Sequence, residues 1–154
     1  MSLSERITAD MRAAMKSGQK LRLETLRTLR AHLIELTKRG SEKPVSSEDE
    51  LSAVMTAIKK RKEAIDLYQQ AGRKELVDRE KQELAILQEY LPRQLSREEV
   101  REVINNIIRT TEASSPDDFG RIMGIAMKEL RGKADGKIVR EIVRQNLGQT
   151  ANDH

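Results

Sequence analysis

Apolar residues in this chain recur every three or four positions in one stretch after another, and no stretch alternates, a pattern that only packed helices can bury. Ile7, Met11, Ala14 and Met15 mark a first stripe behind Ser4, a candidate N-cap, with Ser17-Gly18 as the stop. Leu23, Leu26, Leu29, Leu33 and Leu36 form a second. A loop from Gly40 to Ser46, containing Pro44, separates these from a long helix opened by a Ser47/Glu50 capping box, with Leu51, Met55, Ile58, Ile65 and Tyr68 or Gln69 inward. Gly72 ends it, and Arg73 to Tyr90 carries Leu76, Leu84, Leu87 and Leu91 until Pro92 disfavours further helix.

The pattern then becomes more compact. Ser96 and Glu99 form another capping box ahead of Val100, Val103, Ile104, Ile107 and Ile108. Ser115-Pro116 reads as cap and first position of a helix through Phe119, Ile122, Met123, Ala126, Met127 and Leu130. Asp135 caps a last helix with Ile138, Val139, Ile142, Val143 and Leu147. The expected fold is all-α: a four-helix N-terminal domain over residues 1–92, a compact three-helix domain over 93–148, and a polar tail over 149–154. Phe119, Tyr68 and Tyr90 are the only aromatic residues, so the core must be aliphatic.

Composition narrows the chemistry. The chain has no cysteine, which removes disulfides, thiolate metal sites and a Cys nucleophile, and fits a reducing compartment. His32 and His154 are too few and too far apart for a metal cluster, so no metal or cofactor is expected. The charged N-terminal stretch does not read as a signal peptide, and no apolar run approaches a membrane span, so a cytoplasmic location is expected.

The net charge of +4 is unevenly placed, because residues 121 to 147 hold seven bases and three acids. That excess is either a solvated helix face or a surface that meets an anion. It surrounds Arg131-Gly132-Lys133-Ala134-Asp135-Gly136-Lys137, where the glycines suit a helix stop and a turn. The bases Lys128, Arg131, Lys133, Lys137 and Arg140 would contact phosphates there, with Gly132 and Gly136 setting the backbone. Asp135, as a cap, would occupy the new helix start itself, leaving a phosphate to the side chains. The spacing is not that of a Walker loop.

Other charged residues read more structurally. Arg61 and Lys62 flank the apolar stripe of the third helix, and Glu80 interrupts that of the fourth, which predicts a cross-helix ion pair; the alternative is a charged groove for RNA or a partner. Glu80 and Glu83 share a helix face but lack the nucleophile or substrate clamp that acid–base catalysis would need. His32 reads as a surface or core-edge side chain, with a ligand contact as the alternative. Gly120 and Gly124, each one turn from a methionine, predict close approach of another helix, since an interior glycine costs about 1 kcal/mol relative to alanine.

The Gly120-Arg121-Ile122-Met123 element followed by the Arg131–Lys137 segment resembles the GatB/YqeY family, its YqeY-like members in particular. Thr25-Leu26-Arg27, Lys60 to Lys62 leading to Tyr68, Arg73 with Leu76, Glu80 with Glu83, and Tyr90-Leu91-Pro92 before Gln94-Leu95-Ser96 support the resemblance over about residues 1 to 147. Gly124-x-x-Met127-Lys128 with Gly132-Lys133-Ala134 is also similar to the tail of the amidotransferase B subunit, although Asp135-Gly136 stands where those tails often have Asn-Pro. The resemblance implies a tRNA-binding helical module.

Three functions are therefore expected in turn. The first is a non-catalytic accessory protein for tRNA or structured RNA, without DNA specificity. The second is an adaptor of the translation or aminoacylation machinery, docking on an amidotransferase or synthetase. The third is a carbon–nitrogen ligase component by family association, for which the chain supplies no nucleophile, nucleotide loop or metal site.

Overall fold

The structure, a computed structural model, describes residues 1–38 and 45–152, with 149–152 as backbone alone. The expected first loop therefore lies outside the described residues from Gly40 to Pro44. Among the described residues the chain is all-α, with seven α-helices, one short 3-10 turn and no strand. Two compact units divide it, Met1–Leu91 and Pro92–His154.

The first unit comprises α1 (Leu3–Ser17), α2 (Lys20–Lys38), α3 (Ser47–Gln70) and α4 (Lys74–Gln88). Ile7, Leu26, Leu29, Leu33, Val54, Ile58, Leu87 and Tyr90 form its core. Gly18, at φ 71°, closes α1, a left-handed backbone that favours glycine. Ser2, not Ser4, caps α1 by accepting from Glu5 N. The α3 cap is likewise one residue earlier than the spacing suggested: Ser46 and Asp49 form the capping box. The displaced pair acts between helices instead, for Glu50 is buried and its Oε2 accepts from Ser4 N at 3.1 Å and Ser4 Oγ at 3.0 Å. The α3 stripe shifts with it, placing Val54 in the core and leaving Leu51 and Met55 half-buried. On α4 the buried positions are Val77, Glu83 and Leu87, while Leu76 and Leu84, with Leu91 beyond its end, are half-buried. Met15, counted in the first stripe, is exposed.

Polar contacts gather the end of α4 onto α1 and α2. Arg22 donates to both Glu89 carboxylate oxygens, at 2.7 and 3.2 Å. Arg6 lies over the Tyr90 ring, 4.5 Å from its centroid, and donates to Glu89 O at 3.0 Å. The Tyr90 hydroxyl donates to Asp10 Oδ2, and burial, then that hydrogen bond, push the Tyr90 phenol well above its ordinary pKa.

The second unit comprises α5 (Arg97–Thr111), a 3-10 turn (Pro116–Asp118), α6 (Phe119–Leu130) and α7 (Gly136–Asn152). Ser96 and Glu99 form the expected capping box of α5. Ser115 caps the 3-10 turn, so α6 begins three residues after Pro116 rather than at it. The α7 backbone continues through Gly148 to Asn152. Val100, Ile104, Ile107, Ala113, Ile122, Ala126, Leu130, Val139, Ile142, Val143 and Leu147 form an entirely apolar core that holds α6 and α7 at the corner between them.

Candidate functional site

The corner between α6 and α7 is built by local backbone chemistry. Arg131 leaves helical geometry at ψ 123°, and Gly132 follows at φ 77°, a conformation that a side chain would strain. Leu130 O accepts from both Lys133 N (2.9 Å) and Ala134 N (3.2 Å). Asp135 Oδ1 then accepts from Lys137 N at 2.8 Å, capping the start of α7. These N–H groups are already bonded within the corner, so the groups available to an anion are side chains.

A second set of bonds fastens the corner to the start of the unit. Gln94 Nε2 donates to Gly132 O at 2.7 Å and to Pro92 O at 2.9 Å. Leu95 N donates to Lys133 O at 2.8 Å, while the Leu95 and Ala134 side chains pack on the apolar core. Residue spacing carried no sign of this clamp, because its partners lie 38 residues apart.

The bases divide into two groups. Arg93, Arg97, Arg101 and Arg121 pair with Glu99, Glu141, Glu98 and Asp118. Arg144 lies over the Phe119 ring, 5.4 Å from its centroid. Lys128, Arg131, Lys133, Lys137 and Arg140 are all exposed around the corner. Among the described residues, Lys128, Lys133, Lys137 and Arg140 make no ion pair. Lys137 and Arg140 share a face on the first turn of α7, three residues apart. Gly132 is buried and Gly136 half-buried, the latter 3.7 Å from Met127 Cε if given a Cβ.

Among the described residues, nothing makes the expected close approach at Gly120 and Gly124. A Cβ at either would meet nothing within 4 Å, and both glycines are exposed. They lie four residues apart, with Lys128 four further on, so one face of α6 presents bare backbone leading to a base. The short spacing to Met123 and Met127 carried no information about which face was covered.

In the first unit, Arg61 Nε stands 3.6 Å from Glu80 Oε2 and 3.1 Å from Glu83 Oε2. Arg79 adds a 3.8 Å approach to Glu83 and a 3.3 Å pair with Glu24. Glu83 is the buried member, and the stripe pattern assigned it no part in the ion pair; Lys62 is exposed. Burial raises the Glu83 pKa, partly opposed by Arg61 and reinforced by Glu80. Among the described residues, no three His, Asp or Glu side chains group as a metal site requires, and no helix is long and apolar enough to cross a membrane.

These features define a class: an all-α protein of two helical units, the second presenting a hydrogen-bonded corner rimmed by bases. The chain belongs to the YqeY family, since the family model described as Yqey-like protein matches residues 4–147. It is 28% identical over 148 residues to "Altered inheritance of mitochondria protein 41, mitochondrial" of Pyrenophora tritici-repentis, covering 93% of this chain and 80% of that protein. It is also 44% identical over 57 residues to a Glutamyl-tRNA(Gln) amidotransferase subunit of Methanobrevibacter smithii, 34% of this chain but 9% of that protein. The corresponding amidotransferase protein of Thermococcus sibiricus is 28% identical over 128 residues, covering 78% of this chain and 20% of its own length. The chain thus spans a small fraction of the amidotransferase proteins that it matches.

Proposed function

We propose that this protein is a non-catalytic accessory factor that binds tRNA or another structured RNA through the α6–α7 corner. The observation that carries this reading is the group of exposed bases without ion-pair partners, Lys128, Lys133, Lys137 and Arg140, beside Arg131 on a clamped corner. The similarity to amidotransferase proteins named for Glu-tRNA(Gln) supports RNA as the anion. With three aromatic residues in the chain, recognition runs through backbone and shape rather than base stacking. The protein is taken to act in the cytoplasm, in or beside translation.

The test is equilibrium binding to individual tRNAs at low and near-physiological salt, with an Arg131, Lys133 and Lys137 triple alanine variant. The expected result is steeply salt-dependent binding, with the logarithmic salt slope falling by about 1 for each phosphate-contacting cation removed. Salt-independent binding, or equal binding by the folded variant, refutes the reading. The exposed apolar side chains of Met15, Ile34 and Leu67 favour a second reading, an adaptor of the aminoacylation machinery. A stoichiometric protein partner that survives nuclease treatment would select it.

A further inference from the structure

The first unit holds a cavity of about 250 Å³ beside the ion-pair network, with Arg61 common to both. Thr25, Thr28 and His32 line it from α2, and Lys60 and Arg61 from α3, over an apolar floor that includes Leu29. The three α2 residues follow one another at three and four positions, so they form a polar stripe beside the leucine stripe of the same helix. No carboxylate lines the cavity, in a chain with 25 acidic residues. Its volume corresponds to about eight water molecules at roughly 30 Å³ each.

The electrostatics favour an anion there. Among the described residues, His32 and Lys60 have no hydrogen-bond or ion-pair partner. Arg61 makes both closest approaches to Glu80 and Glu83 through Nε, so its terminal nitrogens retain donors. Arg61 Nε and Glu80 Oε2 are themselves buried without a hydrogen bond, which shows that the network alone leaves this guanidinium incompletely satisfied. An ammonium, a guanidinium and an imidazole N–H around an acid-free hollow are the donor set for an oxyanion. Thr25 and Thr28 donate to Leu21 O (2.8 Å) and Glu24 O (3.1 Å), and the exposed Thr28 hydroxyl can rotate toward a bound oxygen.

We propose that this α2–α3 cavity is a binding site for a phosphate group, distinct from the basic corner of the second unit. Lys60 supplies the unpaired charge, and Arg61, whose own charge Glu80 and Glu83 offset, joins His32 and Thr28 in supplying orienting hydrogen bonds. The phosphate is either the free ion or a phosphate monoester.

Calorimetric titration of the full chain with inorganic phosphate, and separately with adenosine 5′-monophosphate, tests the site. Saturable binding in either titration is expected, weakened about tenfold or more by Lys60→Ala and less by Thr28→Val, because charge-assisted hydrogen bonds are the stronger ones. Tighter binding of the monophosphate identifies a monoester site, and equal or tighter binding of phosphate a site for the ion. Both substitutions are at exposed positions, and circular dichroism checks that each variant is folded. Lys16→Ala, at an exposed base of α1 outside the cavity lining, leaves the binding unchanged. No saturable binding of either compound, or equal weakening by Lys16→Ala, overturns the proposal, whatever the outcome for tRNA at the corner.

Discussion

The two units solve helix packing differently. Among the described residues, the buried polar side chains, Thr25, Glu50 and Glu83, all belong to the first, where carboxylates tie helices together: Ser4 to Glu50, Arg22 to Glu89, Arg61 to Glu83. The core of the second is wholly apolar, and its ion pairs sit on exposed helix faces. Charged side chains join the helices of the first unit, while apolar packing and hydrogen bonds to backbone carbonyls join the elements of the second. In the second unit the apolar core and the clamp from Gln94 and Leu95 to backbone carbonyls hold the corner, which leaves Lys128, Lys133, Lys137 and Arg140 clear of ion pairs among the described residues.

The largest expected effect probes the packed unit. Ile142 is fully buried, so Ile142→Ala should cost about 2–5 kcal/mol by lost transfer energy and an unfilled cavity, measured by urea unfolding of the full chain. A cost below about 1 kcal/mol would break the claim that packing organises this unit. Next comes the polar network: Arg61→Met, which leaves Glu80 and Glu83 facing each other, should cost about 3 kcal/mol at pH 7. Glu83 already has a raised pKa in the folded protein, so the native state binds its proton more tightly than the unfolded chain does. Its charged form opposes folding above the ordinary carboxylate range, and stability is recovered as pH falls. The Arg61→Met deficit should therefore shrink between pH 7 and pH 4; a deficit independent of pH would place the loss in packing.

Smaller changes sharpen the contrast. Gly124→Ala should stabilise the second unit by about 0.5–1 kcal/mol, because it is an interior helical position with open space for a Cβ, and Gly120→Ala, in the first turn of α6, by less. Reduced tRNA binding by these stabilised variants would mark the bare face of α6 as part of the RNA surface. The smallest effect is at Glu99, where the Arg93 hydrogen bond, then the Ser96 backbone bond, depress the carboxyl to about 2. Its contribution is present above the ordinary carboxylate pKa of about 4.3 and is lost as pH falls toward 2, the opposite direction to Glu83. Carboxyl carbon shifts in an NMR titration should show Glu99 titrating below, and Glu83 above, the ordinary glutamate value.

What could be read from the sequence was local. The caps at Ser96 and Asp135 and the stop at Gly132 depend on neighbours within a few residues, and they stand where spacing put them. Ser46-Ser47-Glu48-Asp49-Glu50 offers two overlapping capping boxes, and local rules cannot choose between them. Contact with α1 decides, by burying Glu50 against Ser4. Glycine spacing on α6 identified a face but not what covers it, because coverage depends on elements elsewhere in the chain. Arg61 and Glu80 were legible as interruptions of apolar stripes, whereas Glu83 needed the helix register to reveal it as the buried partner.

The bond from Gln94 to Gly132 has a consequence in time as well as in space. It closes a loop of 38 residues, and ordering so long a loop has an entropic cost that a local turn does not incur. During synthesis, the lysines of the corner remain without a fixed orientation until the chain has passed Lys133 and α5 has found its place beside it. The basic surface thereby becomes a marker of completed folding: a nascent or half-unfolded chain carries the same charges but cannot hold them in the arrangement that the finished unit presents.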